Sequence, residues 1–447
     1  MKRTAKAELV KWKDRPNRKP LLVTGVRQCG KTYLLKEFGG EYFPDTAYFN
    51  LEADDTLKSV FDHDFNVNRI LFELGSLHRS KPIEPGKTLV ILDEIQACPR
   101  AITALKYFCE EMPELHIIGA GSLLGVTIHD ESISFPVGKI DRLEMVPLSF
   151  TEFAVAIGDG NFIEGITKQP LNQPLSEIYT RQMEADLKLY YVIGGMPEAV
   201  QCWINTHDLS EVEKIQDHIL DDYSADFGKH APVNDILKLR QIWDSVPIQL
   251  AKENNKFVFS HVKAGNRAKD LEDAMQWLVN AGLLIQVHLV RNPELPLSGE
   301  EDATYYKVYM SDIGLLRRKS KINYRTILMG DADFIHFKGA LTENFVLTEL
   351  ISLGIQPSFW RSKSEAEVDF ITDYEGTISP IEVKSADNTK AKSLHLFCHR
   401  YEPAQAYRFS LKNIADNMDG ATKVWSIPLY CMFRLPEYIR LVWEQQS

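Results

Sequence analysis

Short apolar runs, each closed by a glycine or an acid, dominate the first third of the chain. "LLVTG" (21–25) opens the series, followed by "TAYFNLE" (46–52), "TLVILDEIQ" and "LHIIGAGSLL" (115–124). The unbroken apolar character of "TLVILD" predicts a strand covered on both faces, as in a parallel sheet. A fifth strand is expected within "SFPVGKIDRLEMVPLSFTEF", just after Lys139 and Arg142. "FIEGITKQPLNQPLSE" then reads as a linker. Helical spacing runs from "SEIYTRQMEADLKLYYVI" to "LSEVEKIQDHILDDYSADF". Gly194-Gly195-Met196-Pro197 interrupts it as a turn between helices, since no strand precedes it. Residues 236–310 suggest helix, helix and hairpin, with Leu271, Met275, Leu278 and Val279 on one helical face and Gly282 at its end. Further on, "KGALTENFVLTELISLG" predicts an amphipathic helix, and "EAEVDFITDYEGTISPIEVKSA" a hairpin turning at "DYEG".

Chemistry enters where the first strand ends. Gly25-Val26-Arg27-Gln28-Cys29-Gly30-Lys31-Thr32 has the spacing of a loop that wraps nucleotide phosphates between a strand and a helix. The glycines let successive N–H groups point inward, and the helix N-terminus adds its dipole. Lys31 is expected to reach the β- and γ-phosphates of ATP, and Thr32 to hold Mg²⁺. Asp93, at the end of "TLVILD", would share that Mg²⁺, and Glu94 would polarise the attacking water. Ser122 lies where a polar residue could sense the γ-phosphate, or simply cap the next turn. Lys139 and Arg142 offer a stabilising positive charge, or surface ion pairs.

The second constellation is on the late hairpin. Period-2 alternation puts Glu382 and Lys384 on one strand face, with Asp369 opposite on the partner strand and Glu343 on the helix before it. Carboxylates converging in this way call for a cation, and Mg²⁺ takes oxygen donors of this kind. Lys384 would then orient water or stabilise charge on a phosphodiester. A charged, solvated strand face explains "IEVK" equally simply. Arg361 and Lys363 fit either a scissile phosphate or a solvated strand entry. His395, Cys398 and His399 fall at helical spacing that can bind zinc, but with no fourth ligand nearby ordinary packing is preferred.

Composition narrows the partners. The 447 residues carry a formal charge of −11, which repels nucleic acid on average and leaves DNA contact to local patches or bound metal. At the start of the 268–280 helix, Arg267 and Lys269 could touch phosphates, but Asp270, Glu272 and Asp273 favour a protein-contact role. Six scattered cysteines without a C-x-x-C pair fit a reducing compartment. The basic N-terminus lacks the apolar core of a leader, and no run is long enough to span a membrane, so the cytoplasm is expected.

"RKPLLVTGVRQCGKTYLLKEF", "TLVILDEIQACPRAITALKYF", "YYVIGGMPEAV", "KGALTENFVLTEL" and "FWRSKSEAEVDFI" together resemble the prokaryotic AAA-type ATPases with a C-terminal domain of unknown function. The resemblance implies an α/β protein in four parts. These are a P-loop AAA-type ATPase core (1–160), a helical lid-like region (161–235), a winged-helix-like domain (236–325) and a domain similar to the PD-(D/E)xK, restriction-endonuclease-like nucleases (326–447). ATP and Mg²⁺ are the expected cofactors and DNA an expected partner of the last domain, with a protein partner or self-association also expected. A nucleotide-dependent scaffold with a silent nuclease-like domain is the alternative.

Overall fold

β1 (Leu21–Gly25), β2 (Asp45–Asn50), β3 (Thr88–Asp93), β4 (His116–Ala120) and β5 (Asp141–Met145) form one sheet in the order β2-β3-β4-β1-β5. Every pairing is parallel. The structure is a computed structural model and describes residues 1–78, 82–122, 135–251, 256–262, 268–329, 335–362, 366–385 and 392–444. All of β3 is buried, as its unbroken apolar run requires. The accompanying helices are α1 (Ala5–Asp14), α2 (Lys31–Tyr42), α3 (Asp55–Ser59), α4 (Val67–Leu77) and α5 (Pro99–Glu111). Val90 and Leu92 of β3 pack with Ile70 and Leu74 of α4 and with Leu105 and Phe108 of α5. Leu89 and Ile91 alternate to the opposite face. There α2, which contacts β2 and β3, buries Leu34, Leu35 and Phe38. These elements belong to a unit comprising Met1–Pro147 and Gln276–Leu283.

Leu148–Met275 with Leu284–Ser447 makes the second unit. It begins with helices α6 (Phe150–Ile157), α7 (Gly160–Lys168), α8 (Glu177–Ile193), α9 (Pro197–Thr206), α10 (Leu209–His230), α11 (Ile236–Ala251) and α12 (Phe259–Val262). Helix α7 occupies the first half of the expected linker, because Ile166 is fully buried and anchors that turn. Only the proline- and glutamine-bearing 169–176 remains non-helical. The break at Gly194-Gly195 is a turn between helices, as expected. A Cβ on Gly195 would lie 2.2 Å from the Leu148 carbonyl oxygen. The Gly195 amide donates to Asp312 Oδ2 at 2.6 Å, and Oδ1 of the same carboxyl caps a later helix through the Leu315 amide at 2.8 Å.

Helix α13 (Ala268–Asn280) buries Leu271, Met275 and Leu278 and ends at Gly282, whose φ is +73°. Arg267, like Lys363, lies outside the described residues; Lys269 is exposed. The hairpin of β6 (Leu284–Val290) and β7 (Glu301–Met310) follows, but it does not stand alone as a wing. Helices α14 (Ile313–Lys319), α15 (Tyr324–Met329) and α16 (Ile335–Ser352) come next. They lead to β8 (Ser358–Arg361), β9 (Glu367–Thr372) and β10 (Ser379–Val383), then α17 (Lys392–Tyr401), β11 (Gln405–Ser410), β12 (Ala415–Asp419), β13 (Thr422–Pro428) and α18 (Leu435–Glu444). β6 pairs in parallel with β8, giving one mixed sheet ordered β12-β13-β11-β10-β9-β8-β6-β7. The β9–β10 hairpin is antiparallel, as predicted.

α16 differs from its expected amphipathic form. Leu341, Asn344, Phe345, Val346, Leu347 and Leu350 are all fully buried around its circumference. The helix is packed by α11, α14, β10 and the 3₁₀ segment Leu429–Arg434, which cover most of its described surface, while the Glu343 side chain stays partly exposed. Glu349 is trapped there, accepting the Phe150 amide at 2.8 Å, and burial pushes its carboxyl up to about 8. Because the folded value lies above the unfolded one, the folded state holds the extra proton between them and stability falls as pH rises through that window. Urea titrations from pH 5 to 8 should show a loss approaching about 1.4 kcal/mol per pH unit from this group. Glu349→Gln should flatten that slope, and an unchanged slope would assign it elsewhere.

Candidate functional site

The phosphate loop sits at the C-terminal end of β1, where the parallel strands all release their loops. Gly25 has φ +139° and passes so close to β5 that a Cβ would lie 2.0 Å from the Met145 carbonyl oxygen. Gly30, at φ +93°, turns the chain into α2. Gln28 completes the curl at φ +65°. Between them Val26 and Cys29 are buried, and the Cys29 thiol points at the Met145 carbonyl. Arg27 is half-buried. From α1's leading edge Arg3 donates to the Cys29 carbonyl at 2.9 Å and also reaches the Val146 carbonyl at 2.5 Å, tying the loop to the exit of β5.

Lys31 folds back over this loop. Its ammonium donates to the Gly25 and Val26 carbonyls, both at 2.8 Å, so it is held by backbone at the place a phosphate would take. Thr32 Oγ1 donates to Asp93 Oδ2 at 2.7 Å across the β1–β3 gap. The same oxygen accepts the Tyr48 hydroxyl at 2.8 Å. Burial, then the bond to Asp93, pushes the Tyr48 phenol well up. Glu94 follows with φ +50°, a left-handed conformation that non-glycine residues adopt at some cost, and Gln96 Nε2 donates to its Oε2 at 2.6 Å. Ser122 is buried just past β4, one strand away from both motifs. Lys139 is paired with Glu110 at 3.0 Å, the surface ion pair given as its alternative, whereas Arg142 lies over the Phe135 ring at 5.0 Å. The oxygens of Thr32 and Asp93 form a hard donor set at the mouth of the loop, which suits Mg²⁺ delivered with a nucleotide.

In the second unit the four predicted residues also converge. The Ile381↔Phe370 register carries Asp369 to the position across from Glu382. Asp369 Oδ2 accepts the Val383 amide at 2.7 Å, and Lys384 is ion-paired with Glu382. Glu343 reaches in from α16. Sequence reasoning missed three further members. Lys307 lies 2.6 Å from Glu367 and 3.6 Å from Glu343, and the Tyr309 hydroxyl donates to Glu343 at 3.0 Å. β7 reaches these partners although β6 and β8 separate it from β9 in sheet order. The ladders between them carry register shifts at His288/Leu289 and Ser358/Trp360, irregularities that increase local strand twist. The signal was present in "TYYKVYM", where alternation puts Lys307 and Tyr309 on one face of an otherwise apolar strand. Arg361 instead bonds the Tyr305 hydroxyl.

Electrostatics mark this cluster as cation-seeking. Burial, then the charges of Glu382 and Glu343, raise the Asp369 carboxyl well above its ordinary value. Burial raises Glu382 and Glu367 too, despite their lysine partners. Burial alone would lower the Lys307 ammonium, but Tyr309 and the surrounding acids Glu343, Glu367 and Asp369 leave it raised. Oε2 of Glu382 and Oε2 of Glu367 are buried without a hydrogen-bond partner. An orphaned carboxylate oxygen beside Asp369 and Glu343 is what a hard divalent cation would satisfy, so the residues fit Mg²⁺. Three glutamates and an aspartate facing two lysines also separate the cluster from a plain charged strand face.

The strand order, with β4 between the phosphate-loop strand and the acidic strand, and the Thr32–Asp93 junction define a P-loop nucleotide-binding unit. The family comparison agrees: residues 17–154 match the AAA domain, so the chain carries an ATPase domain of the AAA type. Residues 184–326 and 338–431 match two domains of unknown function, DUF8612 and DUF4143. No curated protein matches the chain. Among solved structures, the Walker-type ATPase PABY2304 of Pyrococcus abyssi is 14% identical, with 71% of this chain and 95% of that one covered and a TM-score of 0.45. The Aeropyrum pernix ORC1 protein in complex with DNA is 12% identical, covers 73% and 95%, and scores 0.29. AMPPCP-bound DnaA from Aquifex aeolicus is 15% identical, covers 62% and 87%, and scores 0.28. Among the described residues no helix is long and apolar enough to cross a membrane.

Removing Lys307 tests the charge balance of the cluster directly. Lys307→Met should destabilise the protein by about 3–5 kcal/mol near pH 7.5, the cost of leaving a buried charge unpaired. The loss should shrink at pH 5, because the raised carboxyls take up protons as pH falls, and partly recover in Mg²⁺. Chemical denaturation at the two pH values measures it; an equal loss at both would reduce Lys307 to a packing residue.

Proposed function

We propose that the chain is an ATP-hydrolysing protein whose nucleotide state governs a metal-dependent centre in its second unit that hydrolyses phosphodiester bonds, with DNA as the substrate class. The observation that carries the second half of this reading is the buried, unpartnered Glu382 Oε2 next to Asp369. On the nucleotide side, Lys31 would leave the Gly25 and Val26 carbonyls for the β- and γ-phosphate oxygens. Thr32 and Asp93 would hold Mg²⁺, which neutralises phosphate charge when bound. Glu94, steadied by Gln96, accepts the proton of the water that attacks the γ-phosphorus, and ADP departs as the bridging P–O bond breaks. Ser122 would report the γ-phosphate from the end of β4.

In the second unit Asp369, Glu382 and Glu343 would hold a divalent cation, Mg²⁺ by donor type, which acidifies its bound water. Lys384 is the residue free to exchange Glu382 for a scissile-phosphate oxygen, whereas Lys307 stays committed to Glu367. The alternative is a nucleotide-dependent scaffold with a silent second centre. It is favoured by the net charge of −11 and by the ready pairing of Lys384 with Glu382.

Glu94→Gln should bind ATP as the parent does while steady-state hydrolysis falls by about 10²-fold or more. Lys31→Ala should lose ATP binding in calorimetry, and parental turnover by Glu94→Gln would move the general base elsewhere. For the second centre, single- and double-stranded DNA should be cut in Mg²⁺ or Mn²⁺, with a rate that changes between ATP and no nucleotide. Lys384→Ala should abolish that cutting. Parent protein that cuts nothing under any nucleotide condition supports the scaffold reading.

A further inference from the structure

α17 carries a second constellation that the proposed activities do not use. His395 and His399 stand one helical turn apart, and their rings approach to 4.3 Å between centroids. Both face one carboxylate. His395 Nδ1 lies 2.8 Å from Asp419 Oδ1 and 2.9 Å from Oδ2, and His399 Nε2 lies 3.1 Å from Oδ1. All three donor atoms fall within 4.8 Å of one another. The imidazoles are more than half exposed, while Asp419 is largely covered. Asp419 comes from the end of β12, where the hairpin to β13 turns through Gly420 at φ +62°. A Cβ at that glycine would sit 3.5 Å from His399 Cε1, so the turn is pressed against the ring.

Sequence spacing had grouped the two histidines with Cys398, and the structure replaces that partner. Cys398 points into the core with Leu394 and Phe397, and burial pushes its thiol up to about 11, so it is no ligand here. Asp419, twenty residues further on, supplies the third donor instead.

We propose that His395, His399 and Asp419 bind a zinc ion that clips α17 to the β12–β13 hairpin, with water completing the coordination. Two neutral imidazoles and a carboxylate form a zinc-type set, in contrast to the all-oxygen cluster around Glu382. Zinc bonds of about 2.0–2.2 Å place tetrahedral donors roughly 3.3–3.5 Å apart, so the two histidine–Asp419 spacings need only a small outward shift. The exposed imidazole edges leave the fourth position open to solvent. Nothing in this inference depends on the proposed nuclease activity.

The test is calorimetric titration of the full-length, chelator-stripped protein with ZnCl₂ in excess Mg²⁺, which occupies the all-oxygen sites. One saturable zinc site is expected. His395→Ala and His399→Ala should each weaken it beyond the roughly 10–100-fold that a lost outer partner costs. Asp419→Asn should weaken it too, and Cys398→Ser should leave it intact. Co²⁺ should give the intense visible bands of a four-coordinate ion in the parent and lose them in the histidine variants. No saturable binding, or zinc affinity unchanged in both histidine variants, overturns the proposal.

Discussion

Glu382 is where the charge balance of the second unit closes. Its strand is buried on both sides, its Oε1 is held by Lys384, and its Oε2 has no partner. Removing a carboxylate from water costs several kcal/mol unless a cation compensates. Glu343, Glu367 and Asp369 multiply that cost, and Lys307 reduces it only in part. Lys307 of β7 meets the acids of β9 and α16 in a sheet whose β6–β7 ladder carries a register shift. α16 is packed by α11, α14 and β10, and its Glu343 meets Lys307 and Tyr309 from a partly exposed position.

The nucleotide unit meets a related demand with less charge. Asp93 is buried, yet its Oδ2 is satisfied by two hydroxyls, Thr32 and Tyr48, and its Oδ1 accepts the Glu94 amide at 3.1 Å. That third bond helps explain how Glu94 is kept in a left-handed conformation. Lys31, bonded to carbonyls of its own loop, is likewise stored without a counter-charge. Each of these contacts is neutral on one side, so each is exchangeable for a phosphate oxygen or a cation at modest cost.

Local features were legible in the sequence, because the strand–loop–helix of the phosphate loop and the β9–β10 hairpin are written within a few dozen residues. The glycines at 25 and 30 have the left-handed φ values their spacing implied, and Asp369 lies opposite Glu382. What escaped was whatever depended on long-range packing. Lys307 precedes Glu367 by sixty residues, and only the folded sheet unites them. The polar residues of α16 suggested a wet face until the surrounding helices covered it. Gln and Pro after residue 168 signalled a linker, but Ile166 was enough to order the turn before them. Cys398 shared the helical spacing of the two histidines, whereas burial and a distant hairpin decided which donors meet.

The two acidic centres make different demands on a cation. At Asp93 a single carboxylate, already satisfied by hydroxyl donors, leaves little net attraction for a free ion; phosphate oxygens would have to complete the shell, so metal and nucleotide would arrive together. Around Glu382 several carboxylates raise one another's proton affinity, and a cation would relieve that repulsion with no substrate present. By the same repulsion, protons would compete with a metal there. Under the proposed reading, occupancy of the second centre would follow pH and free cation concentration, whereas occupancy of the first would follow nucleotide supply.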